Sequence, residues 1–151
     1  MNIYEALRAS HDTQRALCRQ LVGSSPEGRQ REEIFHTLRI ELGAHAAAEE
    51  RFLYAPILMD DRGLDPSRHA LAEHHDIDEY VAELANAPAR GGSWLAKARK
   101  LSDEVHHHLE EEETSFFQIS GKILTAPQKL QLATQYLEDY SRMKQVLAKR
   151  R

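Results

Sequence analysis

ELGAHAAAEERFLY, residues 41–54, places His45 four residues before Glu49 in the middle of an apolar stripe. Four residues is close to one helical turn, so the imidazole and the carboxylate stack on one face. That stripe runs Ile34, Leu38, Leu42, His45, Glu49, Phe52 and Leu53. Steps of three and four mark an amphipathic helix whose apolar face meets a core. A second stretch, VHHHLEEEETSFF at 105–117, repeats the device with His108 and Glu112, on a stripe running Ala98, Leu101, Val105, His108, Glu112, Phe116 and Ile119. A buried imidazole beside a buried carboxylate is costly unless compensated, and a metal ion is the usual compensation.

Two further segments carry one core-facing histidine each. The first offers Ile3, Leu7, His11, Gln14, Cys18 and Leu21; the third offers Leu71, His74, Ile77, Val81 and Leu84. Six ligand-type side chains therefore point at one interior: His11, His45, Glu49, His74, His108 and Glu112. Asp78, four residues after His74, forms a third stacked couple and a seventh candidate ligand. Neighbouring histidines are sorted by the stripes. Consecutive helical residues point about 100° apart, so one of His106, His107 and His108 is central. The spacing selects His108, with His107 and Glu111 as the competing register. It selects His74 over His75 and Glu49 over Glu50. His36, His69 and His106 are read as surface, and Glu110, Glu111 and Glu113 as a solvated face.

Gly, Pro and Ser break the chain at 23–28 (GSSPEG), 60–66 (DDRGLDP), 86–92 (NAPARGG) and 120–127 (SGKILTAP). Such short connections join antiparallel neighbours in bundles. Ser25-Pro26, Asp65-Pro66, Ser93 and Thr125 are candidate helix N-caps. No run alternates with period two long enough to make a strand. The fold expected is all-α: one domain over 1–151, a four-helix up-down-up-down bundle with an additional C-terminal helix. The metal-bearing part covers about 1–120. The last helix, about 126–147, carries Leu130, Ala133, Leu137, Tyr140, Met143 and Val146, has no histidine, and is expected to pack outside the four. Its Tyr136, Tyr140 and Met143 are candidates to face a second copy, giving a homodimer.

Composition narrows the function. With Lys+Arg 20 against Asp+Glu 24 there is no basic stripe beyond Lys149, Arg150 and Arg151, so no nucleic-acid partner is expected. No stretch approaches the roughly 18 apolar residues of a membrane span, and the N-terminus lacks a signal-peptide pattern, so a cytoplasmic protein without a membrane partner is expected. Cys18 is the lone cysteine, which excludes an intramolecular disulfide and a thiolate metal centre. Imidazole plus carboxylate suits Fe, Mn, Zn or Ni. Six or seven ligands are too many for one tetrahedral ion, whereas two ions bridged by Glu49 and Glu112 use them naturally. His11 and His45 would serve one ion, and His74 and His108, with Asp78, the other.

In order, His11, His45/Glu49, His74 and His108/Glu112 resemble the hemerythrin-like family, the HHE cation-binding domain. ELGAHAAAEERFLYAP is similar to its second-helix signature, EHHDID to the third and VHHHLEEEETSFF to the fourth. The resemblance implies a four-helix bundle around a non-haem di-iron centre, with Glu49 and Glu112 bridging beside an oxo or hydroxo group. Oxygen-carrying members have a second histidine where this chain has Asp78, and wider spacing than His108 to Glu112. The chain therefore resembles the bacterial single-domain branch. The function expected is binding or sensing of O2, NO or peroxide, or iron handling, by two iron ions (zinc or manganese as isolated), rather than catalysis. One alternative is an enzyme reducing those molecules, with Tyr54 and Tyr80 as proton donors. The other is a metal-free helical interaction module.

Overall fold

Among residues 1–25 and 29–150, which the computed structural model describes, the chain is helical and contains no strand. Helix α1 (Ile3–Val22) starts at a capping box: the Asn2 side chain accepts from the Glu5 N–H, and the Glu5 carboxylate accepts from the Asn2 N–H. It buries Ile3, Leu7, His11, Gln14, Cys18 and Leu21, the face read from the sequence. Helix α2 (Arg29–Glu49) follows. The expected start at Ser25-Pro26 lies partly outside the described residues. Helix α3 (Leu64–Ala85), α4 (Gly92–Glu111) and α5 (Ala126–Lys149) complete the set. The first four form the up-down-up-down bundle, and α5 lies against α2 and α1.

Two expected caps are corrected. Asp65 falls inside the first turn of α3, because Asp60 caps a short 3-10 turn (Asp61–Gly63) by accepting from the Arg62 N–H, and α3 follows directly. Gly63 permits this tight join: a Cβ there would sit 2.2 Å from the Ile57 carbonyl oxygen. Ser93 likewise lies inside α4. Gly91, at φ 87°, is the N-cap and turns the chain so that the helix starts two residues earlier. Thr125 does cap α5, in a capping box with Gln128, and Pro127 is tolerated in the first turn.

Helices α2 and α4 do not end at their glutamates. Each runs through one π-helical segment, Glu50–Tyr54 and Glu112–Phe116, into a further α-helical stretch, Ala55–Leu58 and Phe117–Ile123. The expected break at 120–127 thus shrinks to Leu124 and Thr125. In a π turn the backbone bond spans five residues rather than four, which re-aims the side chains beyond it.

Two apolar clusters fill the bundle. One contains Ile3, Leu7, Leu53, Ala70, Phe116 and Tyr136; the other contains Cys18, Leu38, Ile77, Leu84, Leu101 and Val105. On each of the four bundle helices the ligand-type residues fall along the chain between the stretches that supply these clusters. The C-terminal helix departs from its predicted stripe. Ala133 and Tyr136 are buried, whereas Leu130 and Leu137 are 55% and 40% exposed. Tyr136, fully buried within the chain, cannot face a second copy.

Candidate metal centre

Six of the seven expected residues converge. His11, His45, Glu49 and Glu112 offer ligand atoms all within 4.8 Å of one another, and so do Glu49, His74, His108 and Glu112. The two groups share both carboxylates, and all six residues are buried. The histidine Nε2 atoms face inward. His45 Nε2 and His74 Nε2 each lie 3.2 Å from Glu49 Oε1, and His11 Nε2 lies 3.3 Å and His108 Nε2 3.5 Å from the Glu112 oxygens. Asp78 is not brought in. One turn beyond His74 it is exposed and joins neither group of ligand atoms, although it lines a small cavity with His45, His74 and His108.

Each Nδ1 faces outward onto a partner from another helix. His74 Nδ1 donates to Glu50 at 2.9 Å, His11 Nδ1 to Glu113 at 2.7 Å and His108 Nδ1 to Glu73 at 2.8 Å. Carboxylates only accept, so each of these pairs fixes the proton on Nδ1 and aims Nε2 at the centre. His45 Nδ1 meets the Tyr136 hydroxyl of α5 at 2.8 Å. A hydroxyl accepts or donates, so it serves either tautomer.

Four of these partners correct the sequence reading. Glu113, read as solvated, is gripped by His11 and by Arg15 at 2.8 Å. The sequence spacing favours Glu49 over Glu50, does not distinguish Glu73, and puts Tyr136 on a helix outside the four. The missed signal is simple: Glu50 follows Glu49, Glu113 follows Glu112, and Glu73 precedes His74. A neighbour of a ligand points about 100° away, toward the adjoining helix, and grips that helix's histidine. Tyr54, offered as a proton donor, is central. Five residues after Glu49 across the π turn, its hydroxyl donates to Glu49 at 2.8 Å and makes a short contact with Glu112. Tyr80 instead packs against the apolar cluster around Ile77 and Leu84. The competing couple, His107 and Glu111, does form, but outside: His107 is 66% exposed.

The electrostatics of this arrangement call for positive charge. Burial and the Glu49 carboxylate push Glu112 up to about 7. Burial alone would lower His11 and His74, yet the surrounding carboxylates raise them to about 9 and about 10. Burial also lowers His45, against the pull of Glu49. His74 Nε2 and His108 Nε2 are 3.1 Å apart. With both Nδ1 protons given to carboxylates, that contact requires a proton or a cation between the rings. His11 Nε2, Glu49 Oε2 and Glu112 Oε1 are buried without a hydrogen-bond partner. Orphaned lone pairs on nitrogen and oxygen, aimed at one point, fit a cation of borderline hardness.

The hemerythrin HHE cation binding domain profile matches residues 2–119. This chain belongs to the hemerythrin HHE cation-binding family. Its fold agrees with the crystal structure of a hemerythrin HHE cation-binding domain-containing protein from Mycobacterium kansasii. The TM-score is 0.87 at 19% identity, over 97% of this chain and 89% of that one. A curated relative described as a DNA nickase, from Nostoc sp. (strain PCC 7120 / SAG 25.82 / UTEX 2576), is 26% identical over 147 residues. The match takes in 97% of this HHE chain but 41% of that protein, so the chain spans less than half the relative's length. No helix among the described residues of this hemerythrin-family chain is long and apolar enough to cross a membrane.

Proposed function

We propose that this protein is a non-haem di-iron protein that binds or senses a small ligand, O2, NO or peroxide, at a centre held by His11, His45, His74, His108, Glu49 and Glu112. One observation carries the reading: four buried imidazoles have their Nδ1 atoms engaged outward and their Nε2 atoms aimed at two shared carboxylates. His11 and His45 would hold one ion, His74 and His108 the other, and Glu49 and Glu112 both. Such a pair of ions supplies reversible binding of small ligands at positions the protein leaves open. The chain's own residues orient the imidazoles and hold a proton on Tyr54 Oη between the carboxylates. Asp78 is not proposed as a ligand.

Optical spectroscopy tests this directly. Iron-loaded protein exposed to azide or peroxide is expected to develop ligand-to-metal charge-transfer absorption that saturates. Protein that stays colourless and iron-free after anaerobic reconstitution overturns the proposal.

A second reading, an enzyme reducing O2 or peroxide, draws support from Tyr54, whose hydroxyl lies 2.8 Å from Glu49 and 3.3 Å from His74 Nε2. Sustained peroxide consumption with a reductant, lost in Tyr54→Phe, favours the enzyme; saturation without turnover favours the binder. The nickase relative belongs to a much longer protein. With acidic residues outnumbering basic ones, we carry over no nucleic-acid partner.

A further inference from the structure

Outside the centre, a second set of nitrogen and oxygen ligands is assembled at the surface of α3 and α4. His69 and Glu73 are four residues apart on α3; His107 and Glu111 are four apart on α4. Each couple alone is an ordinary exposed helix pair. Here the two couples face each other and their atoms alternate in a ring. His69 Nε2 lies 2.6 Å from Glu111 Oε1 and 3.5 Å from Glu73 Oε2. His107 Nε2 lies 3.1 Å from Glu111 Oε2 and 3.7 Å from the same Glu73 oxygen. Ligands at about 2.0–2.2 Å from one tetrahedral ion stand roughly 3.3–3.6 Å from each other; the two Glu73 separations lie near that range, and the 2.6 and 3.1 Å contacts to Glu111 are close imidazole–carboxylate pairs that open by about 1 Å or less to admit an ion. His69, Glu73 and Glu111 already offer ligand atoms that all lie within 4.8 Å of one another.

Two independent features set this cluster apart from scattered surface ion pairs. Glu73 is largely buried, at 12% exposure, and divides its carboxylate: Oε1 accepts the His108 Nδ1 proton at 2.8 Å, and Oε2 faces the exposed histidines. A cavity of about 260 Å³ is lined by His69, Glu73 and Glu111 together with His108 and Glu112 of the centre. The outer ring therefore stands beside an opening that reaches two residues of the central set.

We infer that His69, Glu73 and Glu111, with the exposed His107 drawn in from beside Glu111 as a fourth ligand, form an outer divalent-cation site, of the imidazole-carboxylate class that takes Zn²⁺, Co²⁺ or Fe²⁺, at the mouth of the cavity leading to the centre. Its position makes it the point where an arriving ion first exchanges water for protein ligands. The shared Glu73 joins its occupancy to the orientation of His108. None of the four is among the six central ligands, and only Glu73 hydrogen-bonds to one of them, so the site goes beyond the di-iron reading.

Cobalt titration of the full metal-free chain tests it, followed by visible absorption and calorimetry. The comparison is wild type, His69→Ala/His107→Ala, and His11→Ala/His45→Ala. Both outer histidines are mostly exposed, so the first variant is expected to fold, which circular dichroism checks. Wild type is expected to bind one equivalent more than the outer-site variant, while the central variant keeps that extra equivalent. Loss of the extra equivalent in the outer variant supports the site even if the centre takes no cobalt. Equal stoichiometry and affinity in wild type and the folded outer variant overturn it, whatever the centre does. In rapid mixing with Fe²⁺, the outer variant is expected to fill the centre at least tenfold more slowly. An unchanged rate overturns the entry role.

Discussion

Replacing Tyr136 by Phe removes one oxygen and leaves the ring, so its consequences are narrow. The hydroxyl lies 2.8 Å from His45 Nδ1, Tyr136 is fully buried, and His45 is 3% exposed. Phe keeps the apolar volume in the cluster with Leu53 and Phe116. Water has no ready access, so a polar atom of His45 loses its partner. A buried group left unsatisfied costs about 1–3 kcal/mol. For a chain of this size each kcal/mol moves the melting temperature by about 2–4 °C, giving a drop of about 2–12 °C. A metal ligand that loses its outer hydrogen bond loses about 10–100-fold in metal affinity. Differential scanning calorimetry of the metal-free form and competitive chelator titration of the loaded form measure the two effects. An unchanged melting temperature together with unchanged affinity would refute the claim that α5 orients the centre.

Replacing both His45 and His108 by Leu abolishes metal binding and, because it strips partners from the buried Glu49, Glu112, Glu73 and Tyr136, also lowers the melting temperature of the chelated protein; chelator-treated and metal-loaded melts compare the two. In the metal-free form, His11 and His74 are raised from the unfolded value of about 6.5 to about 9 and about 10. Groups raised on folding stabilise fully below the unfolded value, and that contribution is lost as pH rises through the folded value. Glu112, raised to about 7, acts in the same direction. The melting temperature in excess chelator is therefore expected to fall between about pH 6.5 and 10; a rise over that range contradicts the assignment. Metal must displace these protons, so loading at pH 7 in weak buffer is expected to release them, and an indicator dye counts them. Glu113→Gln frees His11 Nδ1 from its carboxylate and is expected to weaken metal binding about 10–100-fold, read by chelator competition.

The bundle was legible because its helices are long and their apolar steps regular. The histidines announced the centre because imidazole and carboxylate occupy positions where Leu would otherwise stand. Three things lay beyond that pattern. The π segments at Glu50–Tyr54 and Glu112–Phe116 leave no periodic trace over five residues, yet the first brings Tyr54 onto Glu49. The outward partners Glu50, Glu73 and Glu113 look like helix-surface acids, because what buries them is the neighbouring helix. Asp78 had the right spacing from His74 but falls on the exposed flank of α3, and Glu50, reaching across from the π segment after α2, takes the His74 proton instead. Spacing along one helix finds groups that share a face; only packing between helices shows which faces meet.

Iron X-ray absorption on the loaded protein addresses the centre most directly. A shell of nitrogen and oxygen neighbours with imidazole scattering, plus an iron–iron vector of about 3.5–4 Å, is the expected spectrum. Isolated ions without that vector, or an oxygen-only shell lacking imidazole, would contradict a two-ion site gripped by four histidines and two shared glutamates.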